Sequence, residues 1–299
     1  MKNLIVAIKL TALLSVFVIA ISCENPAADN KENEVTEIPL PDLGRVIDQN
    51  PSWSPDGGKI AYSHVAQEEE IELGLSQIWI IDLETGEKEF VTQGYNPDWS
   101  PDGNKLVFNE SFGRVSTVKV NGDSLEQLTP DNKSLFSPAW SPRDDYIAMS
   151  STSSDDAGLW IVKTDGSELT HVNYPGGGSP DWSPDGNSIV FGDTLLSIIE
   201  IETGETRTLP LHGGYPAWSP VGDRIAFIFY PGPLEAEVWT VGVDGSNPSM
   251  IHESGSQSSW SPNGEQIAFH KHWEYDGEMI TTLWIVNADG SDPHPLTFP

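Results

Sequence analysis

The sequence contains little cysteine and little positive charge. Cys23 is the only cysteine among 299 residues, so an intramolecular disulfide and catalysis by a cysteine pair are both excluded. Only 15 lysines and arginines oppose 45 aspartates and glutamates, which leaves a formal net charge of −30. Such a surface repels nucleic-acid phosphates and anionic lipid headgroups. Neither is therefore expected to be a direct partner.

Long apolar runs are also scarce. The apolar stretch at residues 10–21 is short for a membrane-spanning helix. Residues 1–22 have the charged start, apolar middle and small-residue exit of an export signal. Cys23 at its end resembles the lipobox of bacterial lipoproteins, although Ala20 stands where that family most often has Leu. The resemblance implies acylation of Cys23; an uncleaved or ordinarily cleaved signal is the alternative.

The segment after this cysteine is predicted to be a flexible tether. Residues 23–42 are poor in apolar residues and rich in Asn, Glu and Pro, a composition that does not support a packed core. The folded part of the chain is therefore expected to span residues 43–299, close to the membrane that holds the acylated cysteine.

Six Trp-Ser-Pro triplets mark an internal repeat in this folded part. Their tryptophans are Trp53, Trp99, Trp140, Trp182, Trp218 and Trp260. A period of about 40 residues is typical of repeat architectures. In the best copies the triplet continues as Asp-Gly, which predicts a tight turn, and a short apolar strand follows. The regular recurrence indicates that these tryptophans are structural and pack between repeats.

The rest of the repeat predicts three further strands. A β-prone triplet holds a second tryptophan in four repeats, at Trp79, Trp160, Trp239 and Trp284. A glycine turn and a last strand follow it in every repeat. Proline stands two residues before the first Trp in five of six copies, which places the Trp strand at a sheet edge. The predicted fold is all-β: a six-bladed β-propeller of four-stranded antiparallel blades.

The full pattern, P-x-W-S-P-D-G-x-x-I-A-F with a later I-W and a final Leu-Thr, resembles the WD40-like (PD40) propeller repeats of the TolB family. The resemblance covers roughly residues 50–297. TolB proteins carry an α/β domain before the propeller, and no such domain is evident here. Their binding of the peptidoglycan-associated lipoprotein is therefore not carried over intact. Residues 43–47 are predicted to pair with the last blade and fasten the ring.

The propeller arrangement predicts which residues face a partner. Three positions before each first Trp stand uncharged polar residues: Asn50, Asn96, Ser137, Ser179, Tyr215 and Gln257. They are expected to encircle one mouth of the central channel, and we call them the collar. The collar either receives a peptide or sugar, or it only hydrogen-bonds loop backbone and trapped water.

Aromatic residues are expected in the loops on the same face. Tyr95, Tyr230, Trp273 and Tyr275 are candidates for partner binding, or they cover the ends of the blades. The segments between second and third strands are longest in the first, fifth and sixth repeats. Such insertions commonly form the binding surface of a repeat protein.

Support for enzyme chemistry is thin. His270 and His272 are weak candidates for a transition-metal site because no third ligand is fixed by the sequence. Asp-Gly-Ser turns lack the acidic spacing of a twelve-residue calcium loop, and a Gly-x-Ser-x-Gly elbow is absent. No catalytic residue is assigned and no cofactor is expected, with calcium or a transition metal as the alternative.

These observations favour a monomeric, lipid-anchored binding module of the bacterial cell envelope. It is expected on the periplasmic side or the outer surface, where its variable face would hold an envelope protein or a peptidoglycan-linked partner. The alternative is a propeller enzyme, a metal-assisted lyase or hydrolase that acts on glycans or peptides.

Overall fold

The computed structural model describes residues 43–66, 76–172, 178–192, 194–233 and 235–298. The predicted signal and tether, residues 1–42 with Cys23, lie outside the described residues. Within them the chain forms 24 β-strands and a single 3₁₀ turn at Ser111–Gly113. None of the described segments is a helix with the length and apolar character needed to span a membrane.

The strands follow one another in six groups of four. The first three groups are β1 Leu43–Trp53, β2 Lys59–Ala66, β3 Gln77–Asp82 and β4 Lys88–Gln93; β5 Tyr95–Trp99, β6 Lys105–Asn109, β7 Val115–Lys119 and β8 Glu126–Gln127; β9 Phe136–Trp140, β10 Tyr146–Ser151, β11 Gly158–Lys163 and β12 Thr170–His171. The last three are β13 Asp181–Trp182, β14 Ser188–Phe191, β15 Leu195–Glu200 and β16 Thr206–His212; β17 Gly214–Trp218, β18 Arg224–Gly232, β19 Glu235–Gly242 and β20 Ser249–His252; β21 Ser256–Trp260, β22 Gln266–Tyr275, β23 Glu278–Asn287 and β24 His294–Pro295.

Groups two to five each form a separate four-stranded antiparallel sheet, whereas groups one and six are joined in one eight-stranded sheet. The expectation of six separate blades is therefore corrected, because four blades stand alone among the described residues. The cause is β1, which runs antiparallel to β2 on one side and parallel to β23 on the other. The first strand of groups two to five is an edge strand, as the prolines predicted.

The N-terminal part of β1 closes the ring. Leu43 lies opposite Met279 and Ile47 opposite Thr281, while Ile47 also lies opposite Val65 of β2. The prediction that residues 43–47 pair with the last repeat is confirmed. Each first strand also contacts the next one, from β1 through β5, β9, β13 and β17 to β21, and β21 contacts β1. The first strands therefore surround a common axis, as in a propeller.

The Trp-Ser-Pro segment builds each hairpin through its own hydrogen bonds. In the first copy, Gly57 N donates to Ser54 O over 2.9 Å, and Lys59 N donates to Ser54 Oγ over 2.9 Å. Gly57 has φ of +77°, a conformation that glycine adopts without steric cost. The serine hydroxyl and the glycine thus fix the turn that returns the chain into the second strand.

The hydrophobic core lies between neighbouring groups. Trp99, for example, packs with Leu106 and Phe108 of its own group and with Ile78 and Ile80 of the preceding one. The other Trp-Ser-Pro tryptophans lie in or against equivalent clusters. Because each group presents apolar side chains to its neighbours, no group has a complete core of its own.

Hydrogen bonds from the same six tryptophans join every neighbouring pair of groups, and the type of bond alternates around the ring. At three junctions the indole Nε1 donates to a backbone carbonyl of the preceding group: Trp99 to Ser52, Trp182 to Ala139 and Trp260 to Ala217, over 3.0 to 3.1 Å. At the other three the backbone N–H donates to a side chain of the preceding group: Trp53 to Ser259 Oγ, Trp140 to Asp98 Oδ2 and Trp218 to Asp181 Oδ2, over 3.2, 2.7 and 2.5 Å.

Candidate functional site: the channel mouth

The six collar residues share one backbone conformation. Each has φ between 45° and 55°, the left-handed region that costs a non-glycine residue roughly 1 kcal/mol. In the first strands of groups one, two, three, five and six the strand register shifts beside the collar residue. Such a bulge turns the local side chain away from the regular sheet. All six collar positions therefore share a left-handed backbone, and five of them also lie at a bulge.

Bonds from the preceding group hold this strained backbone in place at three positions. Asn96 N donates to Ser63 Oγ over 3.0 Å, and Ser137 N donates to Asn109 Oδ1 over 3.0 Å. Asn50 N donates to His270 Nδ1 over 3.4 Å. The acceptors stand at the same position of their second strands, so the collar is fixed between groups rather than within one.

The collar side chains meet one another across group boundaries. Asn50 Nδ2 donates both to Asn96 Oδ1 and to Gln257 Oε1, the latter over 2.6 Å. Ser179 Oγ donates to Ser137 Oγ over 3.4 Å. Among the described residues, no further protein partner occupies the side-chain nitrogens of Asn96 and Gln257 or the Oδ1 of Asn50. This side of the collar thus presents amide donors and one carbonyl acceptor.

Two carboxyl groups lie below the collar, two residues further along the first strands. Asp98 accepts from Ser52 Oγ over 2.8 Å as well as from Trp140 N, and Asp181 accepts from Trp182 N over 2.9 Å as well as from Trp218 N. Desolvation raises the pKa of Asp98 to about 6. Desolvation raises the pKa of Asp181 to about 7, and the negative charge of Asp98 contributes to that rise.

Reasoning from the sequence missed these two carboxyls. The signal lies in the residue immediately before each first Trp, which is Ser, Asp, Ala, Asp, Ala and Ser in chain order. Only two of these six positions are ionisable. The influence of Asp98 on Asp181 depends on the closed ring, because the two residues are 83 positions apart in the sequence.

The aromatic candidates lie on strands rather than in loops, which corrects the expectation. Tyr95 begins β5 and is half-buried, and Tyr230 lies on β18 with 46% of its surface exposed. Trp273 and Tyr275 lie near the end of the β22–β23 hairpin, where Asp276 and Gly277 have φ of 51° and 81°. Two such positive values define the tight hairpin turn that Asp-Gly favours, so this dipeptide was an overlooked signal.

The hairpin holds one of its aromatic rings firmly and leaves the other exposed. Trp273 Nε1 donates to Thr282 Oγ1 over 2.7 Å, and its ring packs edge-on against Trp284 at 5.8 Å and Tyr275 at 5.7 Å. Tyr275 keeps 49% of its surface exposed. Trp273 therefore supports Tyr275, which is the ring available to a partner. The long segment predicted in the first repeat falls mostly on residues 67–75, outside the described residues.

The two candidate metal ligands lie side by side on β22, with ring centroids 5.8 Å apart. Burial lowers the pKa of His270 to about 3, so its ring is neutral and accepts the Asn50 N–H through Nδ1. His272 Nδ1 contacts Thr281 Oγ1 at 2.6 Å, and burial lowers its pKa although part of the ring reaches solvent. In the described parts of the chain, no three His, Cys, Asp or Glu side chains are grouped so that they could hold a metal ion.

The ring of first strands, the alternating tryptophan junctions and the polar collar define a β-propeller of four-stranded antiparallel blades with a hydrogen-bonding channel mouth. The family comparison agrees with this class. The family described as the TolB beta propeller domain (PD40) matches residues 44–193 and 113–298. The chain therefore belongs to the TolB β-propeller family, as the repeat pattern predicted.

Solved structures with the same fold include a TolB and two lyases. The structure of a putative TolB from Agrobacterium tumefaciens is 23% identical, with a TM-score of 0.63, and the match covers 75% of this chain and 88% of that one. An oligogalacturonate lyase in complex with manganese is 18% identical, with a TM-score of 0.54 and coverage of 80% and 77%. An oligogalacturonate lyase from Vibrio parahaemolyticus is 12% identical, with a TM-score of 0.55 and coverage of 84% and 78%. A search of curated proteins returned no match.

Proposed function

We propose that this chain is a cell-envelope binding module that holds a protein or peptidoglycan-associated partner at the mouth of its propeller. The observation that carries the proposal is the collar. Its residues Asn50, Asn96 and Gln257 form one amide network and still offer hydrogen-bonding atoms to the channel mouth. Binding sites in proteins commonly combine such fixed polar groups with exposed aromatic rings.

The chemistry of the collar favours an uncharged group of the partner. All six collar side chains are uncharged at neutral pH, and amides recognise amides and hydroxyls by paired hydrogen bonds. A peptide backbone and the acetamido group of an amino sugar both present these groups. The net charge of −30 further disfavours a polyanionic ligand.

The architecture and location complete the proposal. The eight-stranded sheet serves as two blades, so the ring is six-bladed, in agreement with six Trp-Ser-Pro copies and six tryptophan junctions. Membership of the TolB family supports an envelope location, and the lipobox resemblance of Cys23 supports a lipid anchor on the periplasmic side or the outer surface. The chain acts as a monomer with the collar facing its partner.

Substitutions at the channel mouth test the proposal. A soluble form beginning at Asp42 would be incubated with isolated peptidoglycan sacculi in one arm and crosslinked to envelope proteins in the other. Gln257→Ala removes a collar amide, and Tyr275→Ala removes the exposed ring. Each is expected to weaken capture at least tenfold, because loss of a hot-spot contact costs about 2 kcal/mol or more.

Phe90→Ala is the matched control for the tyrosine variant. Phe90 is 50% exposed, close to the 49% of Tyr275, but it lies on β4, an outer strand. Its truncation should leave capture unchanged. Equal capture by the parent form, Gln257→Ala and Tyr275→Ala, with unchanged melting temperatures, would show that the channel mouth is not the binding site.

An enzyme is the second candidate, and the fold similarity to two oligogalacturonate lyases favours it. The residues available for a metal are His270 and His272, whose Nδ1 atoms already have partners in the protein. Oligogalacturonate is itself polyanionic, which suits this acidic chain poorly. Elemental analysis after incubation with Mn²⁺, together with a lyase assay on oligogalacturonate, tests this alternative. Stoichiometric metal that is lost in His272→Ala, with activity that depends on it, would establish the enzyme.

A further inference from the structure

The second strand of the sixth group, β22, extends beyond the first strand that pairs with it. β21 begins at Ser256, opposite His270, whereas β22 continues to Tyr275 and stays paired with β23 along its whole length. No strand of the described chain pairs with the other side of Lys271–Tyr275. We call this side of the strand the open edge. It adjoins the collar, because Ser256 immediately precedes Gln257.

Two residues of the open edge, His272 and Glu274, point their backbone N–H and C=O groups away from β23. The alternation is set at Gln266, whose carbonyl accepts from Ser261 N and whose N–H donates to Ser261 Oγ, both over 2.9 Å. Both backbone groups of Gln266 therefore face β21. The pairing of β22 with β23 continues to Tyr275 without a register shift, and alternate residues of a strand point their backbone groups to the same side. Two N–H donors and two carbonyl acceptors therefore line the open edge.

The first group shows how such an edge is filled. Ile60 and Ile267 each pair with the first Trp of their group, and the residues five positions further on are Val65 and His272. Val65 pairs with Ile47 in the N-terminal half of β1, which is an extended antiparallel segment. No described segment pairs in this way with His272. The same edge therefore holds a strand in group one and lacks one in group six.

Group five has a similar extension, but its edge is interrupted. β18 continues past Ile228, the last residue that pairs with β17, and its register with β19 shifts between Phe229 and Gly232. Pro231 lies within the shifted segment and has no N–H. Bulges and prolines protect exposed sheet edges from other strands. β22 has neither of them beyond His270, so its edge can accept a strand.

We propose that the open edge binds an extended, basic segment of a partner protein, which adds to the sheet as an antiparallel strand. This inference rests on the proposed function, because the segment belongs to the partner that is held at the collar. The net charge of −30, with Glu274 and Asp276 exposed at the edge, favours a basic segment and opposes pairing with a second copy of this chain. Extended peptides bind to open sheet edges through their backbone groups.

The two faces of β22 specify an alternating pattern in this segment. Residues opposite His272 and Glu274 exchange backbone hydrogen bonds with them and place their side chains on the same face, where Glu274 favours a basic residue. The residue opposite Trp273 lies on the other face, beside the rings of Trp273 and Tyr275, which are 5.7 Å apart. This face favours an apolar side chain. The nitrogens of the basic residues therefore donate to the open edge, and those of the apolar residues point away from it.

Matched peptides test the open edge. The probe is an acetylated and amidated peptide of alternating lysine and valine, added to the purified full chain; calorimetry measures binding and NMR measures amide exchange. Exchange at the His272 and Glu274 amides should slow about tenfold or more at saturation, whereas Trp273, whose N–H points to β23, should not change. Methylation of the lysine backbone nitrogens should weaken binding about tenfold or more, and methylation of the valine nitrogens should not. Equal binding of the two methylated peptides would show attraction by charge alone and would overturn the proposal.

Glu274→Pro tests the same edge from the protein side. It removes one N–H of the open edge and leaves the pairing with β23 intact, because that N–H points away from β23. Peptide binding should weaken about tenfold or more, whereas Glu274→Gln, which keeps the backbone, should retain the slowed exchange at His272. Unchanged binding to Glu274→Pro would overturn the proposal. Slow exchange at His272 without peptide, in a chain that sediments as a dimer, would assign the edge to a second copy and would overturn it equally.

Capture of envelope proteins separates this proposal from the proposed function. Gln257→Ala and Glu274→Pro are both expected to weaken capture about tenfold. If Gln257→Ala loses capture and Glu274→Pro retains it, the collar function stands and the open edge is refuted. If the peptide binds as expected but Gln257→Ala captures envelope proteins like the parent chain, the open edge stands and the collar function fails. The comparison of methylated peptides uses the parent chain, so it holds even if a variant does not fold.

Discussion

Removal of the N-terminal half of β1 should open the ring. From the structure we can work out how much unfolding free energy is lost by a chain that begins at Gln49, compared with one that begins at Asp42. The shorter form loses the burial of Ile47, which is only 3% exposed and contributes about 2 kcal/mol. It also loses the 2.6 Å contact of Asp48 with His64, which contributes about 2 kcal/mol as a charge-assisted hydrogen bond.

Part of this loss is offset. Asp48 Oδ2 is buried without a hydrogen-bond partner among the described residues, and removal of such an atom recovers about 1 to 3 kcal/mol. The loss of backbone pairing to β2 and β23 adds to the cost. The net destabilisation is therefore roughly 2 to 5 kcal/mol, which should lower the melting temperature by about 5 to 15 °C in a domain of this size.

A single substitution separates ring opening from general loss of stability. Ile47→Ala should cost about 2 to 4 kcal/mol, and hydrogen exchange should rise in both β2 and β23. Ile251→Ala is the matched control, because Ile251 is 6% exposed and lies on β20, an outer strand of a separate sheet. It should lose similar stability without faster exchange in β2 and β23. Equal exchange patterns in the two variants, or an unchanged melting curve on truncation, would refute the closing role of β1.

Three further substitutions test local features. Phe112 is 89% exposed with φ of 65°, so Phe112→Gly should be about 1 kcal/mol more stable than Phe112→Ala in urea unfolding; equal stability would show that the backbone there is unstrained. Burial lowers the pKa of His270 from its ordinary value of 6.5 to about 3. The stability that the neutral ring contributes to folding is therefore fully present above pH 6.5 and is lost as the pH falls toward 3. His270→Gln should therefore flatten the acid side of the stability profile between pH 6.5 and 4, and an unchanged profile would contradict the buried neutral ring. At Gly94 an added Cβ would lie 2.5 Å from the Phe108 ring, so Gly94→Ala should cost on the order of 2 kcal/mol in the same unfolding assay, and a neutral effect would contradict the tight packing.

The repeated part of the fold was readable from the sequence because its residues act locally. The proline and glycine that follow Trp99 fix a turn by their own backbone preferences, and six copies make the period plain. The closing role of residues 43–47 was also predictable, since the segment occupies the place of a last strand. The joined sheet was not predicted, because it requires β1 to run without a break from its pairing with β23 into its pairing with β2.

The candidate site was predicted in position but not in chemistry. The spacing from each first Trp placed Asn50 and Gln257 at the channel mouth, yet their shared amide network requires two ends of the chain to meet. The role of His270 as an acceptor for the Asn50 N–H was hidden for the same reason. Asp98 looked like an ordinary residue beside a turn, because nothing local reveals that it accepts the Trp140 N–H of the next group.

The pairing of β1 with β23 also has a mechanical consequence. Tension applied to the chain on the N-terminal side of Leu43 would act along β1, which is hydrogen-bonded to β2 and β23 on its two sides. A strand pulled along its own axis loads its interstrand hydrogen bonds together in shear, rather than one after another. A propeller held by this end would therefore resist extension where β1 pairs with β23. A pull strong enough to displace β1 would separate the first group from the sixth before it disturbed the four separate blades.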